Sequence, residues 1–120
     1  MKLKDFDFRL WHKPSESFVD MSVRGADLRV IPTDDDENIE IELWSGFYDK
    51  DGTKIYENDI ITCYFAMNGQ IVFEDAMFYV VDQNSGNKKL LYDVIQESRL
   101  ERESILVEGN IHEQGDKDDE

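Results

Sequence analysis

Leu43-Trp44-Ser45-Gly46-Phe47-Tyr48-Asp49-Lys50-Asp51-Gly52-Thr53-Lys54-Ile55-Tyr56-Glu57-Asn58-Asp59-Ile60-Ile61 is the stretch on which the fold turns. Aromatic and aliphatic residues fill its ends and middle, and two short polar clusters interrupt them. The first, Asp49 to Gly52, holds residues that favour turns and ends in a glycine able to take a positive φ. It therefore joins a strand Trp44–Tyr48 to a strand Thr53–Tyr56. The second, Glu57-Asn58-Asp59, carries an asparagine, the residue after glycine that best accepts a left-handed backbone.

Toward the C-terminus the pattern continues. Ile60–Phe65 is followed by Asn68-Gly69, the strongest short hairpin signal, and then by Gln70–Phe73. Glu74-Asp75 turns the chain into Met77–Val81, and Asn84–Asn87 turns it again into an expected strand Lys89–Val94. Ile95–Glu103 is polar and reads as an exposed helical turn or loop. Ile105–Ile111 is a final strand, with Gly109 a bulge or a point of close approach. Gln114–Glu120 is an acidic tail without an apolar residue. Short strands at this spacing indicate a small antiparallel barrel or sandwich.

Toward the N-terminus, Ile39-Glu40-Ile41-Glu42-Leu43-Trp44 alternates, which predicts a strand with Ile39, Ile41 and Leu43 on a buried face and carboxylates on the other. Asp34–Glu37 is a solvated acidic loop, and Arg24–Pro32 is either a helical turn or a short strand. Phe6/Phe8/Leu10 and Phe18–Met21 flank a Pro/Ser turn, giving two more strands.

The 120 residues suit one domain, expected over residues 1–113, with 114–120 as a flexible tail. Twenty-eight Asp and Glu against 13 Lys and Arg leave a net charge of −15, which repels nucleic-acid phosphates and anionic membrane surfaces. Direct nucleic-acid binding and membrane association are therefore not expected; a basic protein partner would be attracted, although such charge more often serves solubility alone. A single cysteine, Cys63, excludes an intrachain disulfide, and neither a signal core nor an apolar run of about 18 residues is present. A cytoplasmic protein is the expectation.

Three segments, in order, resemble the YopX family of phage and prophage proteins. Phe8-Arg9-Leu10-Trp11-His12-Lys13 is similar to that family's Phe-Arg-x-Trp opening, and Val107-Glu108-Gly109-Asn110-Ile111-His112-Glu113 to its closing Gly-Asn-Ile-x-Glu element. The most specific is Leu43–Ile61, which follows a Gly-Leu-x-Asp-x-x-Gly-x-x-Ile-Tyr-Glu-Gly-Asp-Ile pattern. Trp44-Ser45 replaces the family's Tyr-Thr, and Asn58 replaces a glycine. The resemblance implies a mainly β, multi-sheet fold with an SH3-like barrel portion, little helix, self-association and a phage or prophage origin. It implies no reaction. Trp11, Gly46, Asp51, Gly52, Ile55, Tyr56, Asp59, Gly109 and Asn110 are the motif residues, read as structural.

No reaction follows from the residues either. A calcium loop starting at Asp49 would need Gly and Glu where Lys54 and Ile60 stand. His12, Cys63 and His112 lack the spacing of a zinc site, and Cys63 lies in an apolar run as a small hydrophobe. Neither histidine sits in a nucleophile context, and no phosphate-cradling loop is present. With 28 carboxylates, no acid–base pair stands out. Base stacking on the many aromatics would need a basic groove, so packing or a subunit interface is preferred. The expectation is a non-catalytic accessory protein, without cofactor or metal, acting through protein contacts as a homo-oligomer. The alternative is an acidic nucleic-acid mimic that binds a basic DNA-binding protein.

Overall fold

The computed structural model describes residues 7–19 and 38–113. The expected elements at Arg24–Pro32, Asp34–Glu37 and Gln114–Glu120 lie outside these residues. By internal packing the chain forms two compact units, Met1–Leu43 and Trp44–Glu120. The described residues carry nine strands and one longer helix, with every strand pair antiparallel, so the protein is mainly β.

In the first unit, β1 (Phe8–His12) lies between β2 (Ser17–Phe18) and the beginning of β3 (Ile39–Tyr48). Lys13 to Glu16 form the turn expected from Pro14 and Ser15, closed by Glu16 N–H donating to the Lys13 carbonyl at 3.2 Å. Leu10 is almost fully buried. The alternation in β3 is not realised as expected: Ile41 is 60% exposed, whereas Glu42 is fully buried. The register explains this. Glu42 lies opposite Arg9, whose Nε donates to it at 2.8 Å, and a carboxylate so paired can leave water. The Arg9 guanidinium also lies 4.6 Å from the Phe18 ring centre.

In the second unit, the rest of β3 pairs with β4 (Lys54–Tyr56). β5 (Asp59–Thr62), β6 (Gly69–Glu74), β7 (Met77–Asp82), β8 (Lys88–Leu90) and β9 (Leu106–Asn110) form a five-stranded sheet in the order β8-β7-β6-β5-β9. One of the protein's antiparallel sheets curls into a half-barrel, as the SH3-like expectation implied. The core is Ile55, Ile61, Cys63, Ala66, Ile71, Val80, Leu91, Val94, Ile95 and Ile105, with Phe47, Phe65, Phe78 and Val107 packed against it. Cys63 is the buried small hydrophobe its apolar setting predicted, and burial raises its thiol pKa despite backbone hydrogen bonds that oppose the shift.

Two expectations are corrected here. Lys89–Val94 is not one strand. β8 ends at Leu90, and α1 (Leu91–Glu101) begins at once. Leu91, Val94, Ile95 and Ser98 are its buried residues, at positions i, i+3, i+4 and i+7, so a helix buries this set on one stripe where a strand would divide it between two faces. Second, Asn68-Gly69 is not the tight turn. β5 ends at Thr62, and a six-residue loop, closed by reciprocal Cys63–Ala66 backbone bonds of 2.8 and 3.2 Å, precedes Gly69 in β6. Gly69 is needed for space: a Cβ there would sit 2.6 Å from Val80 Cγ1.

Candidate functional site

Two polar turns of the Leu43–Ile61 segment meet β9, one at each end. Asp49 leaves β3 and turns its carboxylate back onto the backbone. Its Oδ1 accepts from Asp51 N–H and Thr53 N–H, both at 2.9 Å, and its Oδ2 accepts from Val107 N–H at 3.0 Å. Lys50 N–H donates to the Ile105 carbonyl at 3.0 Å, so the Asp49–Gly52 turn is stitched to the start of β9. Gly52 takes the expected positive φ, +84°. Burial pushes the Asp49 carboxyl pKa upward, but N–H donors from Val107, Thr53, Asp51 and Gly52 outweigh this and hold it below the usual value.

A second group closes the other end of β9. The buried Asp59 accepts Tyr56 N–H at 2.8 Å, shaping the β4–β5 turn, and Asn58 takes a φ of +70° as its substitution for glycine anticipated. Asp59 faces Asn110 across the β5–β9 pair. The buried Asn110 accepts N–H groups of His112 and Glu113 at 3.0 and 3.2 Å and so caps the short turn that ends β9. Ile111 N–H donates to the Asn58 carbonyl at 3.0 Å. The register shifts between Ile60 and Ile61, so the bulge anticipated near Gly109 is present. A side chain at Gly109 would also meet Glu113. Ile55 is fully buried in the core.

Thus Asp49 and Lys50 meet the start of β9, and Asn58 and Asp59 its end, while Asp51, Gly52 and Tyr56 shape the turns that carry them. Trp11 belongs to the first unit, where its ring packs edge-on against Phe18 at 4.9 Å. His12 ends β1 with its ring hydrogen-bonded to Ser15 of the following turn, and His112 follows β9. No group of three or more His, Cys, Asp or Glu placed to hold a metal occurs among the described residues.

Gly46, with φ +90°, sits inside an irregularity of β3, where Trp44 pairs with Tyr56 and Tyr48 with Lys54. Four residue steps on β3 therefore face two on β4. Trp44 Nε1 donates to the Phe47 carbonyl at 3.0 Å and Ser45 Oγ accepts Phe47 N–H at 3.2 Å, holding the bulge that sends Phe47 into the core. Between this bulge and α1 lies a cleft of about 350 Å³ lined by Gly46–Lys50, Ile95, Ser98, Arg99, Glu103 and Ile105. Sequence reasoning missed the helical part of this lining because it treated residues 95–103 as surface. The four-residue spacing of Leu91, Ile95 and Arg99 was the available signal.

The outer side of α1 carries a different surface. Lys89 Nζ pairs with Glu97 at 2.7 Å, and Glu97 also accepts the Tyr64 hydroxyl. Hydrogen bonds from Lys89 and then Tyr64 hold the Glu97 carboxyl below its usual pKa. A smaller depression of about 270 Å³, lined by Tyr64, Glu97, Leu100, Glu101 and Glu103, lies here, and Leu100 is 81% exposed.

Fold and motif define a mainly β domain in which two polar turns clamp one strand. The family profile described as YopX protein matches residues 19–116, more than half of the chain, and the protein belongs to that family. The Leu43–Ile61 and Val107–Glu113 segments fall inside the matched span, whereas the Phe8–Lys13 segment precedes it. Among curated proteins, none matches the chain. No helix among the described residues is long and apolar enough to cross a membrane.

Proposed function

We propose that this protein is a phage or prophage accessory factor that acts by protein–protein contact, self-associates and performs no reaction of its own. The observation that carries this reading is on the second unit, where Leu100 and Tyr64 border one depression and are exposed although the core is complete without them. Exposed aromatic and leucine side chains are the residue types that anchor interfaces. The buried polar groups of the motif support the non-catalytic half: Asp49, Asp59 and Asn110 serve as acceptors for backbone N–H groups. Family membership supports the phage or prophage setting.

Size-exclusion chromatography with light scattering tests the proposal. A molar mass that is a multiple of 14.1 kDa is expected, falling to the monomer value in Leu100→Asp. A strict monomer at about 10 μM, a concentration at which most specific homodimers persist, overturns self-association. The net charge of −15 supports a second reading, an acidic mimic that occupies the nucleic-acid site of a basic protein. That reading requires capture of a DNA-binding partner that weakens steeply with salt.

A further inference from the structure

The cleft between the β3 bulge and the last turns of α1 has features the contact role leaves unused. Ser98 is 3% exposed, and its Oγ is buried without a hydrogen-bond partner among the described residues. A buried hydroxyl with no partner costs about 1–3 kcal/mol, and it lines this cleft. Two cations, Lys50 and Arg99, lie on the same lining, and neither makes an ion pair among the described residues. In a chain with 28 acidic and 13 basic residues, two unpaired cations on one small cleft are unusual company. Phe47, Ile95 and Ile105 supply an apolar wall, and Tyr48 stands at the exposed side. The volume of about 350 Å³ lies within the range that holds small organic ligands.

Two acids also line the cleft. Asp49 is already engaged by three backbone N–H groups, which leaves it little capacity to take a ligand cation. Glu103 is exposed and makes no ion pair among the described residues, so it opposes an anion.

We infer that this cleft binds a small organic carboxylate bearing an apolar group. The carboxylate lies between Lys50 and Arg99, a turn of the Ser98 side chain brings its unpartnered hydroxyl to it as a donor, and the apolar part rests on Phe47, Ile95 and Ile105. Arg99 offers two parallel N–H donors that match a carboxylate. Glu103 borders both depressions, but Leu100 and Tyr64 do not line this cleft, so Leu100→Asp separates the site from self-association.

Backbone amide NMR titration with phenylacetate tests the inference. Saturable shifts are expected at Gly46–Lys50, Ser98, Arg99 and Glu103, and neutral phenylacetamide should produce far weaker ones. Arg99→Gln should weaken phenylacetate about tenfold, the loss of one charge-assisted contact. Ser98→Ala should weaken it about fivefold while leaving the fold at least as stable, since no protein hydrogen bond is lost. Glu103→Gln should tighten it. Equal responses to acid and amide, shifts scattered outside the cleft, no saturable response by about 10 mM, or an affinity unchanged in Arg99→Gln would each overturn the site.

Discussion

Asp49 shows how one side chain can hold two distant parts of the chain. Its carboxylate serves Asp51 and Thr53 within the turn and Val107 on β9, so replacing it with asparagine neutralises the acceptor and sets an NH2 donor where one of its two oxygens accepted an N–H. Asp49→Asn should lower unfolding free energy at pH 7 by about 2 kcal/mol, because hydrogen bonds to charged acceptors are roughly twice as strong as neutral ones. The pH dependence has a definite sign. The folded carboxyl has a lowered pKa, so its stabilisation is complete above the ordinary carboxylate range and is lost as pH falls through the lower folded value. Urea titrations of wild type and Asp49→Asn should therefore converge below about pH 4. A constant gap between them down to pH 2 would contradict this account. Arg9 and Glu42 make the complementary case in the first unit, where the pairing partner allows a carboxylate to be fully buried. Lys13 and Glu40 form an ion pair at a similar distance, but both are about half exposed, and such pairs contribute little.

At the scale of elements, the five-stranded sheet has a turn that favours glycine but lacks one, and a strand position where glycine is required for space. The β6–β7 connection is a two-residue turn between Glu74 and Met77, and Asp75 and Ala76 both have positive φ, 53° and 64°. That conformation favours glycine at the second position. Ala76→Gly should raise stability by about 0.5–1 kcal/mol. Gly69, in contrast, lies in a strand against Val80, which is fully buried. Gly69→Ala should cost about 1–3 kcal/mol through overpacking, although alanine is the less flexible residue in the unfolded chain. Thermal unfolding of the two variants should shift in opposite directions, and a Gly69→Ala variant as stable as wild type would show that the β6–β7 pair has room to adjust.

For the whole molecule, charge decides how any association must depend on salt. Two copies each carrying −15 repel, and screening reduces that repulsion over about 10 Å at 0.1 M salt. Self-association through Leu100 and Tyr64 should therefore strengthen as sodium chloride rises from about 50 to 500 mM, whereas capture of a basic partner should weaken. Sedimentation velocity across that range separates the two. Association that dissociates with added salt would point away from an apolar contact between like-charged copies.

The local chemistry of turns was legible in the residues alone. Gly52 and Asn58 adopt the left-handed backbone their types and neighbours require, the Pro14–Ser15 turn forms, and Gly109 marks a bulge, because these features depend on a few adjacent residues. The mainly β character and the family were legible for the same reason: they rest on repeated punctuation of short apolar runs. Three outcomes were decided only by the tertiary structure. Leu91–Glu101 became a helix because its apolar stripe could be buried against the sheet in that form. Glu42 went inside because Arg9, thirty-three residues earlier, came opposite it. The cleft joins residues 46–50 to residues 95–105. Each depends on which distant side chains meet, and burial energy belongs to that meeting and not to any segment read by itself.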